Sequence, residues 1–455
     1  MNTRQTSERL DKADKRLVYT LASGAILPLL DTTMVNVAVG GIAEQLGASL
    51  NLAQWVITAY ALAAASAVPL SSWCVGKVGA RQVWLYSLWL FLAGAMLSSA
   101  AQNIHMLIAA RALQGIATGL LLPTMQTIVM SSVSKGKEKA ALAAIAIPSV
   151  LAPILGALTG GAILEALGWR SVFYLHLPIC LIAVVQARRL IPITKEHQHI
   201  QFDAQGFLML CPAMALVILG ITRLTGSIQT SVAPIGIIIA GLALFAMFAN
   251  HAMRAPARAL LDLTIVRMNH VRRSCVLLFL SSVHYYGSLL LLPLYFAHVG
   301  KYSSGMVGQL LALHGLGTLL ARQYIARQNA RWCERTVVWA GTSAALCGSM
   351  IMAWPALAPT IPAMALGIFL RGAGVGILTL QAMSGAYVGL HSTQISHSSA
   401  LTRMLTLLGG ATGVAIVVVS LDWTATLNSF VPPHIALIVI TAMCCLAAPK
   451  SRASR

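Results

Sequence analysis

Fourteen apolar runs of membrane-span length, separated by short polar connections, constrain this chain more than any other feature. They fall at approximately 18–39, 55–75, 82–100, 105–130, 140–164, 171–187, 206–222, 233–252, 274–297, 304–321, 336–354, 360–381, 398–420 and 433–448. About 17 to 25 apolar residues cross a hydrocarbon core of about 30 Å as one α-helix. In lipid, the backbone of such a run must satisfy its own hydrogen bonds, which selects the helix. Of 455 residues 58% are hydrophobic and 9% charged, whereas a soluble domain carries about a quarter charged residues. The chain therefore reads as an all-α polytopic membrane protein whose connections leave no room for a soluble catalytic domain. Because the polar stretch Met1–Arg16 leads directly into a span-length run, the first helix is expected to be an uncleaved start-transfer segment.

A net charge of +19 would suit a nucleic-acid partner, but its distribution points to a bilayer. Twenty-five Lys and Arg lie in the N-terminus, the even-numbered connections and the C-terminus; only Arg170, Arg223 and Lys301 lie on the opposite side. Arg111, Arg371 and Arg403 fall within runs. This bias predicts both termini on the cytoplasmic side of a cytoplasmic (inner) membrane, with no nucleic-acid partner.

The acids are distributed as informatively as the bases. Of twelve Asp and Glu, eleven sit in polar termini or at run ends, and only Asp31 lies inside a hydrophobic run. A carboxylate near a bilayer centre costs about 2.5–3.5 kcal/mol on insertion scales, so Asp31 is expected to face a protein interior or a wet cavity and to serve function. The competing reading is an Asp tolerated by local hydrogen bonds to Thr32 and Asn36. Arg111 is the natural counter-charge, since its guanidinium does not shed its proton, with a purely structural anchor as the alternative. Arg371, flanked by Gly372, Gly374 and Gly376, reads either as a span residue or as one reaching a loop, and Arg403 as a side chain snorkelling at the cytoplasmic end of run thirteen. His284 and His314 are the other titratable candidates at mid-span; each reads as a proton relay or as a histidine bonded between helices.

The longest connections flank runs seven and eight and divide the chain into six, two and six helices. The segment Arg254–Leu263 reads as a short interfacial helix, basic on one side and apolar on the other. The two six-helix blocks echo each other. Arg111-Ala112-Leu113-Gln114-Gly115 in run four is matched by Arg371-Gly372-Ala373-Gly374-Val375-Gly376 in run twelve, and Gly156–Gly161 in run five by Gly409–Gly413 in run thirteen. Small residues at this spacing allow close helix approach, and a parallel repeat suits a transporter that rocks around a central site.

The residues at these places resemble the fourteen-span drug/proton antiporters of the major facilitator superfamily over nearly the whole chain. Leu30-Asp31-Thr32-Thr33-Met34-Val35-Asn36-Val37-Ala38 looks like that family's first-helix motif, and Gln54-Trp55-Val56-Ile57-Thr58-Ala59-Tyr60-Ala61-Leu62 its second-helix entry. Arg111-Ala112-Leu113-Gln114-Gly115 matches the fourth-helix motif, and Ala152-Pro153 through Gly160-Gly161, followed by Gly168-Trp169-Arg170, the fifth-helix antiporter motif, with Ala157 where a second proline is usual. The resemblance implies a major facilitator fold: two six-helix bundles at 1–190 and 256–455, with two inserted transmembrane helices at 191–255. It implies proton coupling through Asp31 and Arg111, and conformational roles for Lys77, Gly79, Arg81, Pro153, Gly156, Gly160 and Gly161. One departure stands out: Gly76 occupies the position where the family places an acid before Lys77, Gly79 and Arg81, so the cytoplasmic latch is expected to be weaker or built differently.

Asn36, Tyr60, Gln114, His284, Tyr285, His314 and Gln381 are the candidate lining of a substrate pocket, with helix packing as the plainer role for the aromatic ones. No Walker loop or His-Glu-x-x-His occurs, and the eight cysteines show no ligand or disulfide spacing. No catalytic residue, metal or cofactor is expected, and the protein is not expected to be an enzyme. The leading expectation is a proton-coupled exporter of small amphipathic compounds, with protons, the substrate, the bilayer and a periplasmic adaptor protein as partners. The alternatives are a proton-coupled importer of a specific metabolite and a transport-inactive sensor or scaffold.

Overall fold

The computed structural model describes residues 10–134, 136–148, 151–152, 155–156, 163–164, 166–193, 201–226, 232–256, 258–298, 304–327, 332–354, 360–423 and 431–448. Among these the chain is helical, with no strand. The main helices are α1 (Lys12–Gln45), α2 (Trp55–Ala67), α3 (Leu70–Val78), α4 (Ala80–Ser99), α5 (Ile104–Ser132), α6 (Glu138–Ile145), α7 (Arg170–Leu190) and α8 (Ala204–Gly226). They continue with α9 (Ala233–Arg254), α10 (Asn269–His298), α11 (Ser304–Arg327), α12 (Glu334–Ala353), α13 (Ile361–Gly385), α14 (Ser392–Trp423) and α15 (Val431–Met443).

Ten of these helices are long and apolar enough to cross a membrane singly, and α2 with α3, bent by 56° at Val68-Pro69, is long and apolar enough only as a pair. The 24-residue α11 and the shorter apolar α15 correspond to runs ten and fourteen. Run five starts in α6 and continues largely outside the described residues. Among the described residues the architecture is all-α, as expected of the sequence, with helix at each of the fourteen runs.

In lipid the hydrophobic effect does not draw helices together, so close packing and polar contacts must. The helix pairs show where. Gly115 and Gly119 of α5 lie against the backbone of α2: a Cβ there would fall 2.3 Å from the carbonyls of Tyr60 and Ala64 respectively. In the second half, Gly372 and Gly376 of α13 meet the carbonyls of His314 and Thr318 on α11 in the same way. Around these pairs, α4 packs between α5 and α7, α1 lies against α7, α12 flanks α13, and α10 runs along α14. Helices α8 and α9 form a hairpin whose first arm contacts both α2 and α14.

This register refines the repeat read from the sequence. Arg111 and Arg371 are not equivalent. If Gly372 and Gly376 stand where Gly115 and Gly119 do, Arg371 stands where Gln114 does, one helical turn from the position of Arg111.

Three local expectations are corrected. The second and third runs are joined by Gly79 alone, since α3 continues to Val78 and α4 starts at Ala80. Its φ of 86° is open to glycine and strained for other residues. Arg254–Leu263 is not an interfacial helix: α9 ends at Arg254, and Ala259, Leu260 and Leu261 are buried in an irregular segment before a 3-10 turn at Leu263–Arg267. Its backbone is held by side chains, with Leu260 N–H donating to Asp203 (2.9 Å) and Ser72 donating to the Leu260 carbonyl (2.9 Å), so its apolar groups turn into the protein. Arg322 belongs to α11 rather than to a loop, and donates to the Gly376 carbonyl (3.2 Å) and to Thr379 (2.6 Å).

Candidate functional site: a buried ion pair between the first and fifth helices

Asp31 on α1 is fully buried and Arg111 on α5 nearly so, and Arg111 Nη1 donates to Asp31 Oδ2 at 2.6 Å. The same nitrogen donates to Gln114 Oε1 (2.8 Å), and Nε donates to the Val56 carbonyl (3.3 Å). The guanidinium carbon lies 4.2 Å from the centre of the Tyr60 ring and 5.9 Å from that of Phe173. Tyr60 is itself fixed by hydrogen bonds of its hydroxyl to Thr118 (2.9 Å) and the Pro28 carbonyl (3.4 Å). Desolvating two charges is repaid only when attraction and hydrogen bonds are good, and here every element of the pocket contributes a donor, an acceptor or a π-face.

Small residues make this convergence possible. With Gly115 against the Tyr60 carbonyl, α2 approaches closely enough to bring the Tyr60 ring under Arg111. On the other side, Gly94 leaves room for Gln114, since a Cβ there would sit 2.5 Å from Gln114 Cγ. Gly156 makes the same allowance for Thr33, two residues from Asp31, whose hydroxyl bonds to the Leu30 carbonyl (2.8 Å) and reaches the Ala152 carbonyl (3.4 Å).

His176, on α7, was not legible as part of this site. It is fully buried with Nε2 3.8 Å from Asp31 Oδ1, an oxygen without a hydrogen-bond partner among the described residues. The sequence signal was modest: a histidine two residues before Pro178, just past the fifth-helix motif. His434, near the start of α15, is likewise buried, so His284 and His314 are not the only buried histidines.

The remaining candidates separate into groups. Tyr60 and Gln114 belong to the ion-pair pocket, whereas Asn36 is exposed on α1. His284 accepts from Arg371 Nε (3.2 Å) in the second half, and the Tyr285 and His314 rings lie 5.8 Å apart there. Arg371 is fully buried and does not reach a loop; Arg403 is half-buried within α14. Gln381 lies far along α13, where it accepts from Lys139 of α6 (2.7 Å) and donates to Glu334 of α12 (2.8 Å). These three line a cavity of about 360 Å³ with Glu138, Trp332 and Tyr387. Lys77 is exposed, 4.8 Å from the Trp73 ring centre, and Arg81 donates to the Arg188 carbonyl. Among the described residues neither has a carboxylate partner. Pro153, Gly160 and Gly161 lie outside the described residues.

A many-helix membrane bundle, with a charged pair sealed inside it and held by aromatic and amide groups, defines a multi-pass membrane transporter. Residues 21–414 match the sequence model of the Major Facilitator Superfamily, and the chain belongs to that family, whose members are transporters and not enzymes. It is 28% identical over 426 residues to the "Multidrug resistance protein B homolog" of Mycobacterium tuberculosis H37Rv, covering 92% of this chain and 78% of the relative. Solved structures with the same fold include the human organic anion transporter MFSD10, with a TM-score of 0.67 at 16% identity, covering 96% of this chain and 99% of that one. The proton:xylose symporter XylE aligns with a TM-score of 0.66 at 12% identity, over 96% of this chain and 94% of that one.

Proposed function

We propose that this transporter exports small amphipathic compounds in exchange for protons, by alternating access between two six-helix bundles at 1–190 and 256–455 with an inserted helix pair between them. The observation that supports it most is the Asp31–Arg111 pair: an acid in the apolar core whose second oxygen, beside His176, is unbonded among the described residues. Protonation of Asp31 would dissolve the ion pair and free Arg111. Such a two-state element is what coupling requires, because a proton shifts the conformational balance only if the two states bind it differently. Kinship to a multidrug resistance protein supports an amphipathic cargo.

In this reading the structure is the cytoplasm-closed state, in a cytoplasmic (inner) membrane with both termini inside. Bonds between the two halves gather toward the side of the N-terminus: Lys139 to Gln381, and Tyr387 and Thr402 to Gln126 (3.2 and 3.1 Å). Delivery to a periplasmic adaptor belongs to the same proposal.

Proteoliposomes loaded with a pH indicator test it. Export by antiport requires proton movement opposite to substrate, import by symport gives the reverse sign, and a transport-inactive scaffold gives none. Neutral and singly charged compounds are expected to outperform matched dications, since one carboxylate would otherwise have to serve the proton and the second cationic charge together.

A further inference from the structure

The second half of the bundle holds a buried cation without a counter-charge. Arg371 on α13 is fully buried, and among the described residues no carboxylate lies within ion-pair distance of it. Three buried histidines lie on the helices around it: His284 on α10, which accepts from its Nε; His314 on α11, whose carbonyl meets Gly372; and His434 on α15, one turn before Leu437, whose carbonyl lies 3.3 Å from His284 Nδ1. Packing fixes the arrangement, because Gly372 presses against the His314 carbonyl and brings α11 onto the turn that carries Arg371.

The hydrogen bonds separate two kinds of histidine. Arg371 Nε donates to His284 Nε2, so that nitrogen accepts, and the ring hydrogen on Nδ1 goes to Thr441 (2.6 Å). His284 is thereby committed. Among the described residues Arg371 Nη1 and Nη2 and both ring nitrogens of His434 are buried without any partner, while the His314 ring meets the Ile368 backbone. Buried polar groups are nearly always paired, and a guanidinium can only donate. A fixed positive charge with orphaned donors from two helices is the complement of an anion.

We propose that Arg371 and His434, beside His314 and with His284 orienting the guanidinium, bind a singly charged anion such as a carboxylate within the second half of the bundle. The guanidinium would supply the charge and two donors, and the His434 imidazole one further donor. The Asp31–Arg111 pair balances itself, so this anion would balance the other buried arginine. The proposal rests on the exporter reading only for what the anion belongs to, either an acidic cargo or a free small ion.

Isothermal titration calorimetry of the full chain in nanodiscs tests it, with sodium acetate, sodium benzoate and sodium chloride titrated separately in a zwitterionic buffer. Saturable binding is expected, weakened about tenfold or more in Arg371→Gln, as for loss of a charge-assisted bidentate contact. It should also weaken in His434→Asn, which keeps the proposal testable if Arg371→Gln does not fold. Arg223→Gln, an exposed arginine on α8, should leave it unchanged. Benzoate binding well above acetate assigns the site to amphipathic carboxylate cargo; acetate and chloride binding alike assigns it to a free ion. No saturable binding by folded wild-type protein, or binding untouched by both Arg371→Gln and His434→Asn, overturns the site. Because binding is read at rest and without a pH gradient, a failure of coupled transport is a separate result.

Discussion

Arg111 engages Asp31 through one carboxylate oxygen: Nη1 lies 2.6 Å from Oδ2, while Oδ1 has no hydrogen bond among the described residues and sits 3.8 Å from His176 Nε2. The free oxygen is where a proton can be held without first displacing the guanidinium. Asp31→Asn keeps an oxygen for Arg111 but cannot titrate, so pH-driven accumulation in vesicles should fall to background while the protein still folds. Asp31→Glu keeps titration with the carboxyl displaced by one methylene and should retain a measurable fraction. Uphill transport by Asp31→Asn would disprove the role of Asp31 and leave His176, His284 or His314 as the proton site.

The same pair predicts a stability signature. Removing one partner of a buried ion pair strands the other, at a cost of about 3–5 kcal/mol. Arg111→Ala should therefore lower the Tm in detergent markedly, and adding Asp31→Asn should recover part of the loss by removing the stranded charge. Additive losses in the double variant would show that the two groups are not coupled. Arg111→Lys should fall between, since an ammonium keeps the charge but loses the flat face over Tyr60 and the fork that reaches Val56 and Gln114.

How far this could be read from the sequence depends on the kind of interaction. The fourteen runs and the isolation of Asp31 were legible because hydrophobicity and charge are properties of single residues. The partnership with Arg111 followed by elimination, since only one acid lies inside an apolar run. His176 was not legible, because nothing local marks a histidine whose importance comes from a carboxylate 145 positions earlier. Nor was the register of Arg371. Run twelve offers glycines at several spacings, and the contacts of Gly372 and Gly376 with α11 decide which of them faces a neighbour. The Arg254–Leu263 segment misled for a related reason: its backbone is held by Asp203 and Ser72, distant partners, and its apolar residues are buried with those of other helices rather than against lipid.

Close approach at Gly115 gives a third prediction. A Cβ would fall 2.3 Å from the backbone oxygen of Tyr60, and backbone cannot swing aside as a side chain does. Gly115→Ala should cost about 1–3 kcal/mol as overpacking, and also displace the Tyr60 ring from Arg111. Thermal unfolding and transport should both suffer, whereas Gly236→Ala, where an added Cβ meets nothing within 4 Å, should do neither.

Gly76 lies in α3, one residue before Lys77 and close to Arg81 across the Gly79 turn. An acid at this position would supply the carboxylate that both cations lack among the described residues. Gly76→Asp is therefore expected to favour the cytoplasm-closed state and to reduce labelling of cysteines engineered on the N-terminal side. Exposed pairs are worth about 0.2–1 kcal/mol, so the shift should be a few-fold and should shrink with added salt. Unchanged labelling at low salt would sink the latch reading.

The final prediction separates two roles for Gln381. As pocket lining, its loss would change which compounds are carried. The geometry favours a bridge instead: Gln381 accepts from Lys139 on α6 and donates to Glu334 on α12, so one amide ties a helix of the first half to one of the second. Its two ends are not interchangeable, because the amide must offer oxygen to the ammonium and nitrogen to the carboxylate. Gln381→Glu keeps the contact to Lys139 but places two carboxylates together, and Gln381→Ala removes both bonds. Both variants should raise labelling on the N-terminal side, with Gln381→Glu recovering when Glu334→Gln is added and Gln381→Ala not recovering. If instead labelling stays constant and the relative transport of different compounds changes, Gln381 acts on cargo and the bridge does not hold the gate.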